Sequence, residues 1–273
     1  MSTIVFFHAH PDDEALSTAG TMALLSESGD RVILVVATRG EEGEPVPGVL
    51  KDGEPLEERR TRELIKSANI LGVTRVEFLN YRDSGMIDTP SNSNPDCFWQ
   101  ANVEEASLRL ADILREENVD LLVIYDPNGG YGHPDHIQVH RVGTHWADQI
   151  GIENIRWTTL NRDSIKKTIE LAIETTPDEG LAGIGDDLEE RKQRVEEESF
   201  GSAESEITHA INVSDFIEKK RAAISAHRSQ IDEDSFFLQI SDDQFVNVFG
   251  TEWFINPKES RKENETFKSN LFN

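Results

Sequence analysis

The sequence predicts an α/β fold, a parallel sheet with helices on both faces, and three observations carry that prediction. Apolar runs such as Ile4-Val5-Phe6-Phe7 and Val32-Ile33-Leu34-Val35-Val36 are continuous rather than alternating, as strands buried on both faces require. Segments with apolar residues at helical spacing lie between such runs, and no tight hairpin joins them, so strand and helix alternate. The chain has 273 residues, 37% hydrophobic and 29% charged, which suffices for one large core with a smaller portion appended. We therefore expect a Rossmann-like domain over residues 1–160. A smaller C-terminal α/β portion over 161–273 is expected to pack on it and shape a pocket.

The elements follow in order. A first strand over residues 4–7 leads into a helix over 14–28, and residues 31–38 form a second strand. The stretch through Pro45, Pro47, Gly48, Gly53 and Pro55 holds too many breakers for regular structure and reads as a long loop. Residues 57–71 place Leu64, Ile65, Ala68 and Leu71 on one helical face. A third strand over 76–81 precedes an irregular stretch over 87–100, a helix over 103–117 and a fourth strand over 120–125. A helix over 135–149 and a fifth strand over 156–160 complete the first part. Residues 161–204 read as solvent-facing helices with a loop at 176–186 and a solvated acidic face at 187–198. A strand over 207–213, a helix over 216–227, a last strand region over 245–255 and a fraying tail from 257 are expected to follow.

Charge and composition exclude several classes. With 27 basic and 52 acidic residues the formal net charge is −25, and a surface of that sign repels phosphate backbones, so nucleic acid is excluded as a partner. No apolar run approaches the roughly 18 to 20 residues of a membrane span. Met1-Ser2-Thr3 lacks the basic region of a signal peptide, so a cytoplasmic location is expected. A lone cysteine, Cys97, leaves only His, Asp and Glu to bind any metal. Nothing in the composition sets the oligomeric state.

The chemistry lies at two strand ends. His10-Pro11-Asp12-Asp13-Glu14 follows the first strand at the place where a nucleotide fold would carry phosphate-cradling glycines. Asp126-Pro127-Asn128-Gly129-Gly130-Tyr131-Gly132-His133-Pro134-Asp135-His136 follows the fourth. In a parallel sheet both ends share one edge, so the two clusters can meet. His10, Asp13 and His136 would make a three-ligand site with one position open to water, and Asp12 would remain as the base. Zinc lowers the pKa of bound water toward about 7, and Fe²⁺ suits the same ligands. His133 is read as an oxyanion stabiliser or acid, Asp135 as the group that orients it, and Tyr131 as an oxyanion donor. The constellation describes metal-assisted amide hydrolysis. Helix capping by Asp12 or Asp13 is the structural alternative, and it explains one acid but not two acids with a histidine.

These two strings, with Tyr125 to His136 in full and Arg82-Asp83-Ser84-Gly85-Met86, resemble the signature motifs of the PIG-L (LmbE-like) zinc-dependent de-N-acetylases. The resemblance is nearest to the mycothiol branch, which holds N-acetylglucosaminyl-inositol deacetylases and mycothiol conjugate amidases. It implies the same roles for His10, Asp13, His136, Asp12, His133 and Tyr131. It places the sugar-binding arginine and aspartate at Arg60, with Arg59 and Arg62 as neighbours in the same alignment, and at Asp83. Ser17 falls where the branch's deacetylases carry serine and its amidases lysine. The expected substrate is thus a small amino sugar, an N-acetylglucosamine derivative whose acetamide is hydrolysed. A thiol-conjugate amidase and a non-catalytic sugar- or nucleotide-binding module are the alternatives.

The remaining candidates have modest readings. His8 shares a strand face with His10 and is read as a core or supporting histidine. His140, one turn past His136, is read as its supporting partner or as a surface residue. His227 and Gln230, in the Ala226-His227-Arg228-Ser229-Gln230 stretch that also resembles the family, line the pocket or cap a helix. His145, His209 and Cys97 are read as structural, and Glu14 as beginning a helix or supporting the ligands.

Overall fold

The structure, a computed structural model, describes residues 1–175, 195, 200–262 and 264–273. Seven strands form one sheet: β1 (Thr3–His8), β2 (Arg31–Val36), β3 (Arg75–Phe78), β4 (Leu121–Tyr125), β5 (Ile155–Thr159), β6 (His209–Asn212) and β7 (Thr251–Ile255). Their order is β3-β2-β1-β4-β5-β7-β6. The first five run parallel, with Phe6 of β1 opposite Leu34 of β2 and Val123 of β4. The expected α/β class and the helix-covered sheet are therefore present. The sheet is not wholly parallel, however, because β7 runs antiparallel to both β5 and β6. The C-terminal strands extend the same sheet.

Alternation along the central strands divides the core in two. Ile4, Phe6, Val32, Leu34 and Val123 face one layer, while Val5, Phe7, Ile33, Val35 and Ile124 face the other. Besides single turns such as Gly129–Gly132 and Phe236–Gln239, the helices among the described residues include α1 (Asp13–Ser17), α2 (Ala19–Glu27), α3 (Leu56–Leu71), α4 (Val103–Ile113), α5 (Pro134–Ile150), α6 (Arg162–Thr175), α7 (Ile217–Ile224) and α8 (Asp242–Phe249). Met22 of α2, Leu64 and Leu71 of α3 and Ile224 of α7 cover the first layer, and Leu110 of α4 with Val142 and Trp146 of α5 cover the second. Each such side chain contributes about 1.5–3 kcal/mol on burial.

Several expected boundaries shift for physical reasons. The helix expected over 14–28 breaks at Thr18, whose hydroxyl is bonded to His8 Nε2 at 2.8 Å. The region 245–255 is not all strand: Ser241 and Gln244 form a capping box that starts α8, and β7 begins only after Gly250. The apolar density of Phe245, Val246, Val248 and Phe249 resembles a strand, yet it belongs to a short helix in which Phe245 is buried and Val248 exposed. The tail does not fray. Lys268 pairs with β6 through Ala210 N–H to Lys268 O at 2.9 Å, Leu271 is buried, and the Asn273 carbonyl lies 3.1 Å from His209 Nε2. The loop expected at 176–186 lies outside the described residues, as does the acidic face at 187–198 apart from Val195. Among the described residues no helix is long and apolar enough to cross a membrane.

Two carboxylates paired with basic side chains hold the layers together. Glu252 of β7 accepts the backbone N–H groups of Gly20 and Thr21 at 2.9 and 2.8 Å and receives Lys220 Nζ of α7 at 2.6 Å, all buried. This joins the C-terminal strands to the start of α2, where a carboxylate also suits the helix dipole. Glu117, after α4, is shared by Arg31 and Arg75 at 2.9 and 3.0 Å, which lower its carboxyl from 4.5 to about 2.

Lys220→Met strands the Glu252 charge and is expected to lower the unfolding free energy in a urea titration by about 3–5 kcal/mol. Glu117→Gln tests the second pair through pH. A carboxylate whose pKa is depressed in the fold contributes stability above its unfolded value and loses it as pH falls toward the folded one. The variant should be less stable than the parent at pH 7, with the difference narrowing between pH 4.5 and about 2.

Candidate active site

β1 and β4 are neighbours in the sheet, so the chain leaving each emerges on the same edge. The two polar clusters meet there. Asp12 has φ 111°, in the left-handed region that a residue other than glycine rarely enters. Its surroundings hold it there: the Asp12 N–H donates to Glu14 Oε2 at 3.0 Å, and Arg60 Nη2 donates to the Pro11 carbonyl at 2.6 Å and to Asp12 Oδ2 at 3.2 Å. Arg60 Nη1 donates to the Gly40 carbonyl at 2.8 Å. A side chain at Gly40, where φ is +69°, would fall on that guanidinium.

Asp13 stands between two imidazoles, with Oδ2 3.4 Å from His10 Nδ1 and Oδ1 3.3 Å from His136 Nε2. It also accepts the His10 N–H at 2.7 Å. His136 Nδ1 donates to the Gly129 carbonyl at 3.1 Å, which turns its buried Nε2 toward Asp13. That buried Nε2 has no hydrogen-bond partner. Gly129 permits the close approach: φ is +66°, and a Cβ there would stand 2.7 Å from His136 Cβ.

His10, His133 and His136 can each bring a ring nitrogen within 4.8 Å of the others, and His10, Asp83 and Asp135 form a second such group. The expected set of His10, Asp13 and His136 overlaps the first. The donor chemistry fits a cation of zinc type, since a buried imidazole nitrogen without a hydrogen-bond partner stands 3.3 Å from a carboxylate, and a cation would engage both.

The charges follow the same geometry. Burial opposes ionisation of Asp13, yet His136 and His10 hold its carboxyl well below the usual range. His10 overcomes burial because Asp83, Asp13 and Asp135 surround it, and its imidazole is raised well above its ordinary value. Burial raises the Asp12 carboxyl, and Arg60 offsets only part of that. Burial and the neighbouring His10 and His136 rings push His133 down to about 2. His133 is therefore neutral here rather than the imidazolium that sequence reading allowed. Its Nδ1 accepts the Asp135 N–H at 3.1 Å, so its proton sits on Nε2.

Asp135 differs from expectation. Its carboxylate does not orient His133. It lies 3.1 Å from His10 Nε2 and accepts the Ser84 N–H at 3.0 Å and the Ser84 hydroxyl. Side chains two residues apart at the start of α5 point in different directions, and only the Asp135 backbone reaches His133. Asp83 stands on the same side, 3.4 Å from His10 Nε2. Tyr131 is half exposed and packs edge-on against His133 and His136. Arg60 is the buried arginine of its group; Arg59 pairs with Glu63 and Arg62 with Glu54. Ser17 joins the wall of a cavity described below, whereas Gln230 lies beside Gly43 and donates to the Ser229 carbonyl at 2.9 Å.

Sequence reading named Glu14 and His8 as supports but missed their partners, and missed Glu63. Glu14 is wholly buried, with His227 Nε2 at 2.7 Å and Ser67 Oγ at 2.5 Å. Glu63 accepts the Ser229 N–H and hydroxyl at 3.1 and 2.6 Å and so anchors the chain after His227. His8 is bonded to the Tyr125 hydroxyl at 2.9 Å, and the Tyr125 ring stacks on His136 at 4.1 Å. Burial lowers His8 to about 4, so it is neutral and structural. His140 does not support His136; its Nδ1 lies 2.9 Å from the Tyr125 carbonyl.

Beyond Asp12, Asp13, Tyr131 and His136 opens a cavity of about 790 Å³, walled further out by Leu16, Ile165, Ile169, Ile240, Val248 and Trp253. The C-terminal portion supplies most of this wall.

Known proteins resemble this chain over most of its length. A protein of Acidothermus cellulolyticus named 1D-myo-inositol 2-acetamido-2-deoxy-alpha-D-glucopyranoside deacetylase is 36% identical, over 97% of this chain and 94% of that one. A protein of the same name from Thermomonospora curvata is 38% identical, over 92% of this chain and 89% of that one. Among solved structures, the N,N'-diacetylchitobiose deacetylase from Pyrococcus horikoshii shares the fold with a TM-score of 0.54, at 23% identity over 93% of this chain and 82% of that one. The PIG-L family profile, described as GlcNAc-PI de-N-acetylase, matches residues 5–147, the span that carries both strand-end clusters, and the chain belongs to the PIG-L family.

Proposed function

We propose that the chain is a metal-dependent hydrolase that removes acetyl from an N-acetylglucosamine derivative, of the kind in which the sugar is joined to inositol. The observation that carries this is Asp12, held in a strained conformation by Arg60 and Glu14 beside a buried His136 Nε2 that has no partner. Family membership and the names of the relatives support the acetamide and the sugar. His10, Asp13 and His136 would hold a divalent cation, Zn²⁺ in our reading, with Fe²⁺ suited to the same donors. Such an ion supplies Lewis acidity, polarising the carbonyl and acidifying water.

The residues then divide the work. Asp12, its carboxyl raised by burial, accepts a proton from the attacking water. As water adds to the carbonyl carbon, His133 presents its Nε2–H to the oxyanion or the leaving nitrogen, and the Tyr131 hydroxyl offers a second donor. The C–N bond breaks, and the proton taken from water ends on the amine. Arg60, whose two terminal nitrogens are engaged with Pro11, Gly40 and Asp12, acts here by positioning Asp12. Asp83 and the adjoining Glu41 and Glu42 form a polar wall suited to sugar hydroxyls, with Gln230 beside it. The C-terminal portion closes the opposite side through described residues such as Ile165, Ile169, Val248 and Trp253.

Asp12→Asn should keep its metal content by elemental analysis while acetate release falls at least about 100-fold; persistent turnover would move the base elsewhere. Dialysis against a chelator should abolish release, with Zn²⁺ or Fe²⁺ restoring it. Added Zn²⁺ should also raise the melting temperature of the stripped parent and not of His136→Ala, because a ligand that binds only the folded state stabilises it.

A further inference from the structure

The candidate site has two unlike sides. On one, Asp83, Glu41 and Glu42 are linked by Asp83 N–H to Glu41 Oε2 at 3.1 Å and Glu42 N–H to Asp83 Oδ2 at 3.3 Å, and Asp83 touches His10. None of these three residues lines the large cavity. On the other side, Asp12, Asp13, Tyr131 and His136 open directly into it, and its mainly apolar walls beyond them include Leu16, Ile165, Ile169, Ile240, Val248 and Trp253, with the uncharged Asn161, Ser164, Thr168, Gln244 and Asn247 between them. The charges that border it are already paired, since Lys220 and Glu252 neutralise each other at 2.6 Å. An amide divides at the reacting carbon into a polar amine half and an acyl half. The acidic side suits a sugar amine, and acetyl, with one methyl group, would leave nearly all of a 790 Å³ apolar space unfilled.

Resting on the hydrolase reading above, we infer that this cavity is an acyl pocket and that the amides cleaved here include N-acyl groups several carbons longer than acetyl. The reaction balances without any further reagent. Water adds to the acyl carbon, the C–N bond breaks, a water proton goes to the amine, and the acyl chain leaves as a carboxylate. Ile165 and Ile169 of α6 and Val248 of α8 set the length accepted.

The zinc-loaded full chain is assayed for free amine on methyl glucosaminides carrying N-acetyl, N-hexanoyl or N-octanoyl groups. Each methylene buried in an apolar site contributes roughly a fourfold factor, so kcat/KM should rise at least about tenfold from acetyl to octanoyl. Acetyl cleavage without that rise overturns the acyl pocket and leaves the deacetylase reading standing. No amine from any of the three overturns the hydrolase reading, and the pocket assignment with it. Ile165→Trp, which fills the space, should reduce the octanoyl-to-acetyl ratio about tenfold, and an unchanged ratio overturns the location. Calorimetry of the parent with sodium octanoate and sodium acetate gives a measure independent of turnover and of any folding defect in the variant. Octanoate should bind at least about tenfold more tightly, and equal affinities overturn the inference.

Discussion

The buried carboxylate of Glu14 is the interaction on which the arrangement of the site depends. It has no access to solvent, and so both of its oxygens must find donors within the protein. Those donors come from three places far apart in sequence: His227 after α7, Ser67 in α3, and the backbone N–H of Asp12. Burial opposes its charge, and His227 and Ser67 more than offset that, so the carboxyl is lowered and remains ionised. The consequence is that Asp12 is held in its unfavourable backbone conformation by the packing of α3 and α7 against α1. A charge in the core thereby positions a charge at the surface of the cleft.

A second layer of support comes from the sheet. Tyr125 ends β4 with its hydroxyl on His8 of β1 and its ring on His136, so the strand pairing that brings the two clusters together also orients one of the proposed ligands. Arg60 plays the equivalent part on the opposite side, spanning Pro11, Gly40 and Asp12. Preorganisation of this sort requires rigid elements beneath the reacting groups. Here those elements are two adjacent parallel strands.

Much of this was legible in the sequence, and the failures have definite causes. β1, β2 and β4 could be read because burial on both faces demands unbroken apolar runs, and His10, Asp12, Asp13, His133 and His136 because polar groups at strand ends converge on one edge. The direction of β7 could not be read, since an apolar run carries no information about which neighbour it joins or which way it runs. Glu14 and His227 are separated by 213 residues, and no spacing rule pairs them. Proximity in sequence pairs Asp135 with His133, although its side chain reaches back to His10. The start of α8 hid beneath a dense apolar stretch, where the cap at Ser241 and Gln244 was the overlooked signal.

The docked tail bears on self-association. An open sheet presents unpaired N–H and C=O groups at its two outermost strands, and these are templates for joining another chain. On β3 the exposed rim carries Arg75 and Glu77, paired at 2.9 Å, and charged side chains discourage such joining. On β6 the rim is covered instead by the chain itself, with Lys268 exchanging bonds with Thr208 and Ala210. The last residues thus act as a short sealing strip, and losing them would bare a sticky border on a molecule whose −25 charge otherwise keeps its copies apart.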